Sequence, residues 1–246
     1  KAAIKSGADY VEVDLRTTKD GYLVIHHDAA VDRMTNGAGN VKDLTLAELQ
    51  QLKVADKNKP AKKTYRIPTF GEVLKACRGK ISIYLDFKDA DVTETYRQIR
   101  EAGMEKQVVV YVNKIPLYKE WRKVAPGIPL ITSVIEGVKS KEQLTFFLGQ
   151  GTIEVLDNVY DKEMVATAND EGVAVWLDVE SDHESEEDWN QALQKGIQGI
   201  QTDHPEALIA YLNKSGLRNG LGKDLTKEDP YEKYRRKTYR ELKNRK

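Results

Sequence analysis

Apolar residues in this chain come in short, β-branched runs separated by longer segments of helical period. The strand-like runs are VEVDL (11–15), ISIYLDF (81–87), VVVYV (108–112), PLITS (129–133), IEVLD (153–157), VAVWLDV (173–179) and GIQTD (199–203). Their near-continuous apolar character predicts strands covered on both faces. Between them lie ADVTETYRQIREAG, SKEQLTFFLGQG, DKEMVATANDEG and SEEDWNQALQKG, each ending at glycine or entering with an Asp or Ser cap. Strand, helix, strand repetition builds right-handed βαβ units and a parallel sheet, either doubly wound or closed as a barrel. Leaving aside the arm LVIHH, the count is one short of an eight-stranded barrel. The opening KAAIKSGADYVEVDL reads as the last turns of a helix, capped by Gly7, and then a strand. A strand-helix unit is therefore expected ahead of it, in residues of the natural protein that precede Lys1.

Residues 11 to 28, VEVDLRTTKDGYLVIHHD, carry a hairpin signal, because Asp20-Gly21 separates two runs of alternating polarity. A two-residue turn there predicts Lys19 opposite Tyr22, Thr18 opposite Leu23 and Asp14 opposite His27. Glu12 lies two residues from Asp14 and shares its face. His26 is expected on the other face, packed or exposed.

Length and composition leave room for one large domain. A chain of 246 residues with 40% hydrophobic content suits a single α/β barrel, placed over residues 1–214. Lys plus Arg equal Asp plus Glu at 39 each, so no bulk charge draws the chain to nucleic acid. No apolar run approaches membrane-spanning length. Cys77 is the single cysteine, which excludes an internal disulfide framework and cysteine-based metal sites and leaves the redox compartment open. The segment 28–67 is long for a βα connection. It holds NGAGN, a capped helix at LTLAELQQLK and the basic stretch KNKPAKKTYR, and is expected to cover the site. A basic, helical tail is expected over 215–246, with eight basic and two acidic residues from Tyr231 to Lys246. A solvated helix is favoured for it over a weak contact with an anionic surface.

Reacting groups in parallel barrels sit at the C-terminal ends of the strands. Glu12 and Asp14 end the first visible strand, and Asp86 and Lys88 end the next. Taken singly, such a carboxylate is more often a helix cap or a partner for a lysine. Together at adjacent strand mouths they repel one another unless a cation lies between them. The hard oxygen set suits Mg²⁺ or Ca²⁺, and the lack of cysteines and paired histidines argues against zinc. Lys88 fits as a point charge on an anionic substrate, and His27 as a group that moves protons near neutral pH. His183 reads as a solvated loop residue and His204 as capping or structural. Trp176 either lines the pocket or packs in the core.

These residues resemble the glycerophosphodiester phosphodiesterases, metal-dependent (β/α)8 TIM barrels of the PLC-like phosphodiesterase type. The matching stretches are GADYVEVDLRTTKDGYLVIHHD, DRMTNGAGNVKDLTLAEL, IPTFGEVL, YLDFK, VAVWLDV and GIQTDHPEAL. The resemblance implies that Glu12 and Asp14 ligate the metal and that Asp86 takes the place of a third acidic ligand, commonly Glu. It further implies that Lys88 contacts the phosphate and that His27 is the second catalytic histidine. The family's opening His-Arg-Gly, and the Glu-Asn-Thr after it, have no counterpart in this chain, so the barrel's first strand is expected to be missing from it. The expected missing piece is roughly thirty to forty residues, about one βαβ component. The implied reaction is hydrolysis of glycerophosphodiesters to sn-glycerol 3-phosphate and an alcohol, in lipid metabolism. Lacking one acid/base histidine and an arginine, the chain as it stands is expected to be weak or inactive. The alternatives are a non-catalytic barrel that binds phospholipid head groups or a protein partner, and a lysophospholipase D-like phosphodiesterase. A periplasmic or secreted location is favoured over a cytoplasmic one should a signal peptide precede Lys1.

Overall fold

A computed structural model describes residues 1–54 and 65–218. The basic stretch expected around 57–66 lies mostly outside these residues, and the tail expected from 215 is described only to Arg218. The seven predicted strands are all present, as β1 (Tyr10–Thr17), β3 (Ser82–Phe87), β4 (Val108–Tyr111), β5 (Leu130–Ser133), β6 (Val155–Asp157), β7 (Ala174–Asp178) and β8 (Gly199–Gln201). The arm β2 (Leu23–Ile25) runs antiparallel to β1, giving the sheet order β2-β1-β3-β4-β5-β6-β7-β8 with every other neighbour parallel.

Helices follow the strands: α1 (Ala2–Ser6), α2 (Leu46–Gln51), α3 (Phe70–Cys77), α4 (Val92–Glu101), α5 (Ile115–Val124), α6 (Lys141–Leu148), α7 (Lys162–Asp170), α8 (Glu186–Leu193) and α9 (Pro205–Lys214). The expected caps form. Thr45, Thr69, Ser140 and Ser185 each complete a capping box, and Asp91 and Asp161 accept from the first turns of α4 and α7. His204 stands at the N-terminus of α9 without capping through its side chain; its Nε2 lies 3.2 Å from the Ser181 carbonyl instead.

Strand alternation sorts the side chains into two layers. Val13, Leu15, Ile83, Leu85 and Phe87 pack outward under the helices, with Trp121 edge-on to Phe87 at 5.4 Å. Tyr84, Val109, Ile131, Val155 and Ala174 fill the barrel interior, joined by Tyr10, Tyr111 and Trp176. A third cluster of Val24, Val31, Val41, Leu49 and Ile67 holds the insertion against the arm. Among the described residues β8 does not pair with β1, so the sheet curls without closing. At the base of that gap α1 touches α9, and Arg218 grips the Asp9 carboxylate with both Nη atoms at 2.6 and 2.9 Å.

The hairpin register is one residue away from the expected one. Leu15 pairs with Ile25, Arg16 with Val24 and Thr17 with Leu23, and the Thr18 N–H donates to the Tyr22 carbonyl. The loop is therefore Lys19-Asp20-Gly21, three residues rather than two. Gly21 N–H donates back to the Thr18 carbonyl at 3.0 Å, and Gly21 takes φ +82°, which closes a type I turn through a left-handed glycine. The Thr18 hydroxyl reinforces it by donating to Asp20 and accepting from Tyr22 N–H at 2.6 and 2.9 Å. Asp20 in turn accepts from Leu46 N–H, docking α2 on the turn. Consequently Asp14 stands opposite His26, whose N–H donates to the Asp14 carbonyl at 3.0 Å, and not opposite His27.

Candidate active site

Glu12 and Asp14 occupy alternate positions of β1 and face the barrel interior, as does Asp86 on β3. In the parallel register Asp14 stands directly beside Asp86, and Glu12 beside Tyr84. One carboxylate oxygen from each of Glu12, Asp14 and Asp86 falls within 4.8 Å of the others. Lys88, two residues after Asp86 and on the same parity, places Nζ 3.1 Å from Asp14 and in hydrogen-bond contact with Asp86. Asp14 is buried, and Glu12, Asp86 and Lys88 are half-buried.

Burial sets the electrostatics. It raises Glu12 from its ordinary 4.5 to about 8, with the Asp14 and Asp86 carboxylates adding to the rise and Lys88 opposing it. Burial alone would lower Lys88, but Asp86 and Asp14 outweigh it and hold the ammonium charged. Three carboxylates with one cation leave uncompensated negative charge in a partly desolvated pocket, the setting in which hard oxygen donors take up a divalent ion. The donor set fits Mg²⁺ or Ca²⁺ and offers no sulfur or imidazole for a softer metal.

A pH dependence follows. Near neutrality the metal-free protein keeps a proton on Glu12, which a cation taken up by this carboxylate would displace. Affinity for the ion is therefore expected to rise about tenfold per pH unit up to roughly pH 8 and then level off, one proton being released per ion. Calorimetric titrations in buffers of different ionisation enthalpy count that proton. Because the folded value of Glu12 lies above the unfolded one, this group's contribution to metal-free stability declines as pH rises from about 4.5 through about 8.

The other expected residues fall as follows. Trp176 lies on the inner face of β7, half-buried, its ring centroid 5.0 Å from Tyr10 and 6.1 Å from Tyr84. Gly199 on β8 makes room for it, since a Cβ there would sit 2.6 Å from the indole. His27 follows the arm with its side chain 67% exposed, and its Nδ1 is 2.7 Å from Asp28. His26 is buried in its stead, with Nε2 lacking a hydrogen-bond partner among the described residues. His183 is exposed in the loop after β7.

Further carboxylates on the same rim were not anticipated. Asp157 ends β6 and Asp178 ends β7, both on the inner parity, and Glu180 follows two residues later. Burial raises Asp157 to about 6, opposed by the Tyr84 hydroxyl, which donates to it at 3.4 Å. Asn158, at φ +58°, ties the ends of β6 and β7 together by donating to Asp157 and accepting from Asp178 N–H at 2.9 Å. The detectable signal was the one that found Asp14 and Asp86: an Asp closing an apolar strand.

Residues 1–207 match the Glycerophosphoryl diester phosphodiesterase family. The chain belongs to this family. A glycerophosphodiester phosphodiesterase of Caldanaerobacter subterraneus subsp. tengcongensis is 29% identical over 225 residues, covering 88% of this chain and 90% of that one. Among solved structures, a glycerophosphodiester phosphodiesterase from Agrobacterium tumefaciens aligns with a TM-score of 0.72 at 19% identity, over 85% of this chain and 90% of its own. An Oleispira antarctica phosphodiesterase, solved in complex with the product sn-glycerol-3-phosphate, aligns with a TM-score of 0.70 at 20% identity, over 86% and 88%. These likenesses establish the (β/α)8 fold for a sheet that is open between β8 and β1. On that fold Asp14 and Asp86 lie side by side toward the C-terminal ends of their strands, the end at which such barrels carry their sites.

Proposed function

We propose that this protein hydrolyses glycerophosphodiesters to sn-glycerol 3-phosphate and an alcohol, with one divalent cation, Mg²⁺ or Ca²⁺, held by Glu12, Asp14 and Asp86. The carrying observation is the convergence of these three carboxylates and Lys88 at one barrel mouth in a member of this family. When bound there, the cation supplies Lewis-acid polarisation of a non-bridging phosphoryl oxygen. Lys88 sits beside the trio with one donor to spare and shares the charge that builds on the equatorial oxygens. His27 carries a proton to or from the reacting oxygens as one of two acid/base groups. Trp176, with Tyr10 and Tyr84, forms an apolar inner wall suited to the glycerol carbons.

Phosphorus NMR of a reaction on glycerophosphocholine tests this, using the chain together with whatever is encoded ahead of Lys1. The expected products are sn-glycerol 3-phosphate and choline. Phosphocholine and glycerol would assign the cleavage to the other ester bond, and no turnover would remove the enzymatic reading.

A further inference from the structure

We infer that Asp28 and Arg33 are positioning residues that fix the tautomer of His27, leaving Nε2 as the atom that moves the proton. The inference deepens the role proposed for His27 and rests on it. Arg33 holds the Asp28 carboxylate at two points, Nε to Oδ2 at 2.7 Å and Nη2 to Oδ1 at 2.9 Å. The same Oδ1 lies 2.7 Å from His27 Nδ1. The Arg33 guanidinium, followed by the His27 ring, keeps the Asp28 carboxyl well below the usual carboxylate range. An ionised carboxylate only accepts hydrogen bonds, so the hydrogen between Asp28 and His27 belongs to Nδ1. In the neutral ring that leaves the lone pair on Nε2, which makes no hydrogen bond among the described residues. Once Nε2 has taken a proton, Asp28 faces an imidazolium and stabilises it. When Nε2 gives the proton up, the ring returns to the same tautomer.

The main chain is held separately. Arg16 donates to the His27 carbonyl through Nε at 3.1 Å and Nη2 at 2.8 Å, while its Nη1 reaches Asp89 at 3.1 Å. Asp89 also accepts from Thr17 N–H at 3.2 Å and is the residue after Lys88. One network thus ties the backbone of His27 to the loop that carries Lys88, and Asp28 with Arg33 sets what remains free, the ring. An exposed Asp-Arg pair in isolation is an ordinary surface contact. Here its second carboxylate oxygen is shared with a histidine that lies one residue beyond the partner of Asp14.

The test is Asp28→Asn beside His27→Asn, with kcat, KM, melting temperature and ¹⁵N NMR of the histidine ring. Asp28→Asn is expected to lower kcat about 10- to 100-fold at nearly constant KM, less than the ~10⁴-fold cost of the same change in a buried triad, because water competes at an exposed ring. It is also expected to shift the His27 ring from the Nδ1–H form toward Nε2–H without moving the melting temperature. Arg33→Gln is expected to give a smaller change in the same direction. Unchanged kcat and tautomer in Asp28→Asn, with His27→Asn impaired, would overturn the positioning role and leave His27 standing. Full activity in His27→Asn would overturn both.

Discussion

His27→Asn is expected to lower kcat for glycerophosphodiester hydrolysis by ~10²- to 10⁴-fold, the usual cost of losing a positioned acid/base group. Asparagine keeps a polar side chain of similar reach but cannot move a proton near neutral pH. The backbone has no reason to shift, since Arg16 grips the His27 carbonyl and not its ring. With the side chain 67% exposed, little packing is lost, so the melting temperature is expected to stay within a degree or two of the parent. Steady-state kinetics and a thermal melt on the same preparation check both halves. A fall in kcat of only a few-fold would mean that another group carries the proton.

Asp14→Asn is expected to weaken Mg²⁺ or Ca²⁺ binding by more than the ~10- to 100-fold that losing an outer-shell partner costs, because on the proposed assignment it removes a direct oxygen ligand. Of the trio, Asp14 is the most buried and the one seated beside Asp86 in register. The amide keeps the shape and one acceptor but removes the charge that a hard cation requires. Lys88 retains its contact with Asp86, so the fold keeps that ion pair. Loss of a neighbouring negative charge also lets Glu12 release its proton at lower pH, since Asp14 is the foremost charge raising it. Calorimetric titration of either ion into the two proteins measures the difference, and kcat/KM is expected to fall with the affinity.

The parallel sheet was legible because its signal is redundant. Each of the seven apolar runs lies near a cap or a glycine, and the structure places a strand at every one, β1 extending past its run at both ends. Asp14 and Asp86 were legible for a related reason: parity along a strand and position at its end are local properties, and the parallel register then aligned the two. The hairpin shows where local reading fails. Asp-Gly is compatible with a two-residue turn or with the last two residues of a three-residue loop, and the choice depends on the Thr18 hydroxyl closing around Tyr22 N–H and Asp20. That single residue exchanges His27 for His26 opposite Asp14. The Arg16, Asp28 and Arg33 contacts were not legible, because they form between loops whose approach is set by tertiary packing. Asp157 and Asp178 obey the same rule as Asp14, since each closes an apolar strand on its inner parity.

Hydrolysis of a glycerophosphodiester by metal-stripped protein, before and after Mg²⁺ or Ca²⁺ is restored, tests the proposed metal site most directly. Alcohol release is expected to vanish on chelation and to return with one ion bound per chain in the parent, but not in Asp14→Asn. Equal rates with and without chelator, or full restoration of Asp14→Asn at the same ion concentration, would contradict the assignment of Glu12, Asp14 and Asp86 as the metal site.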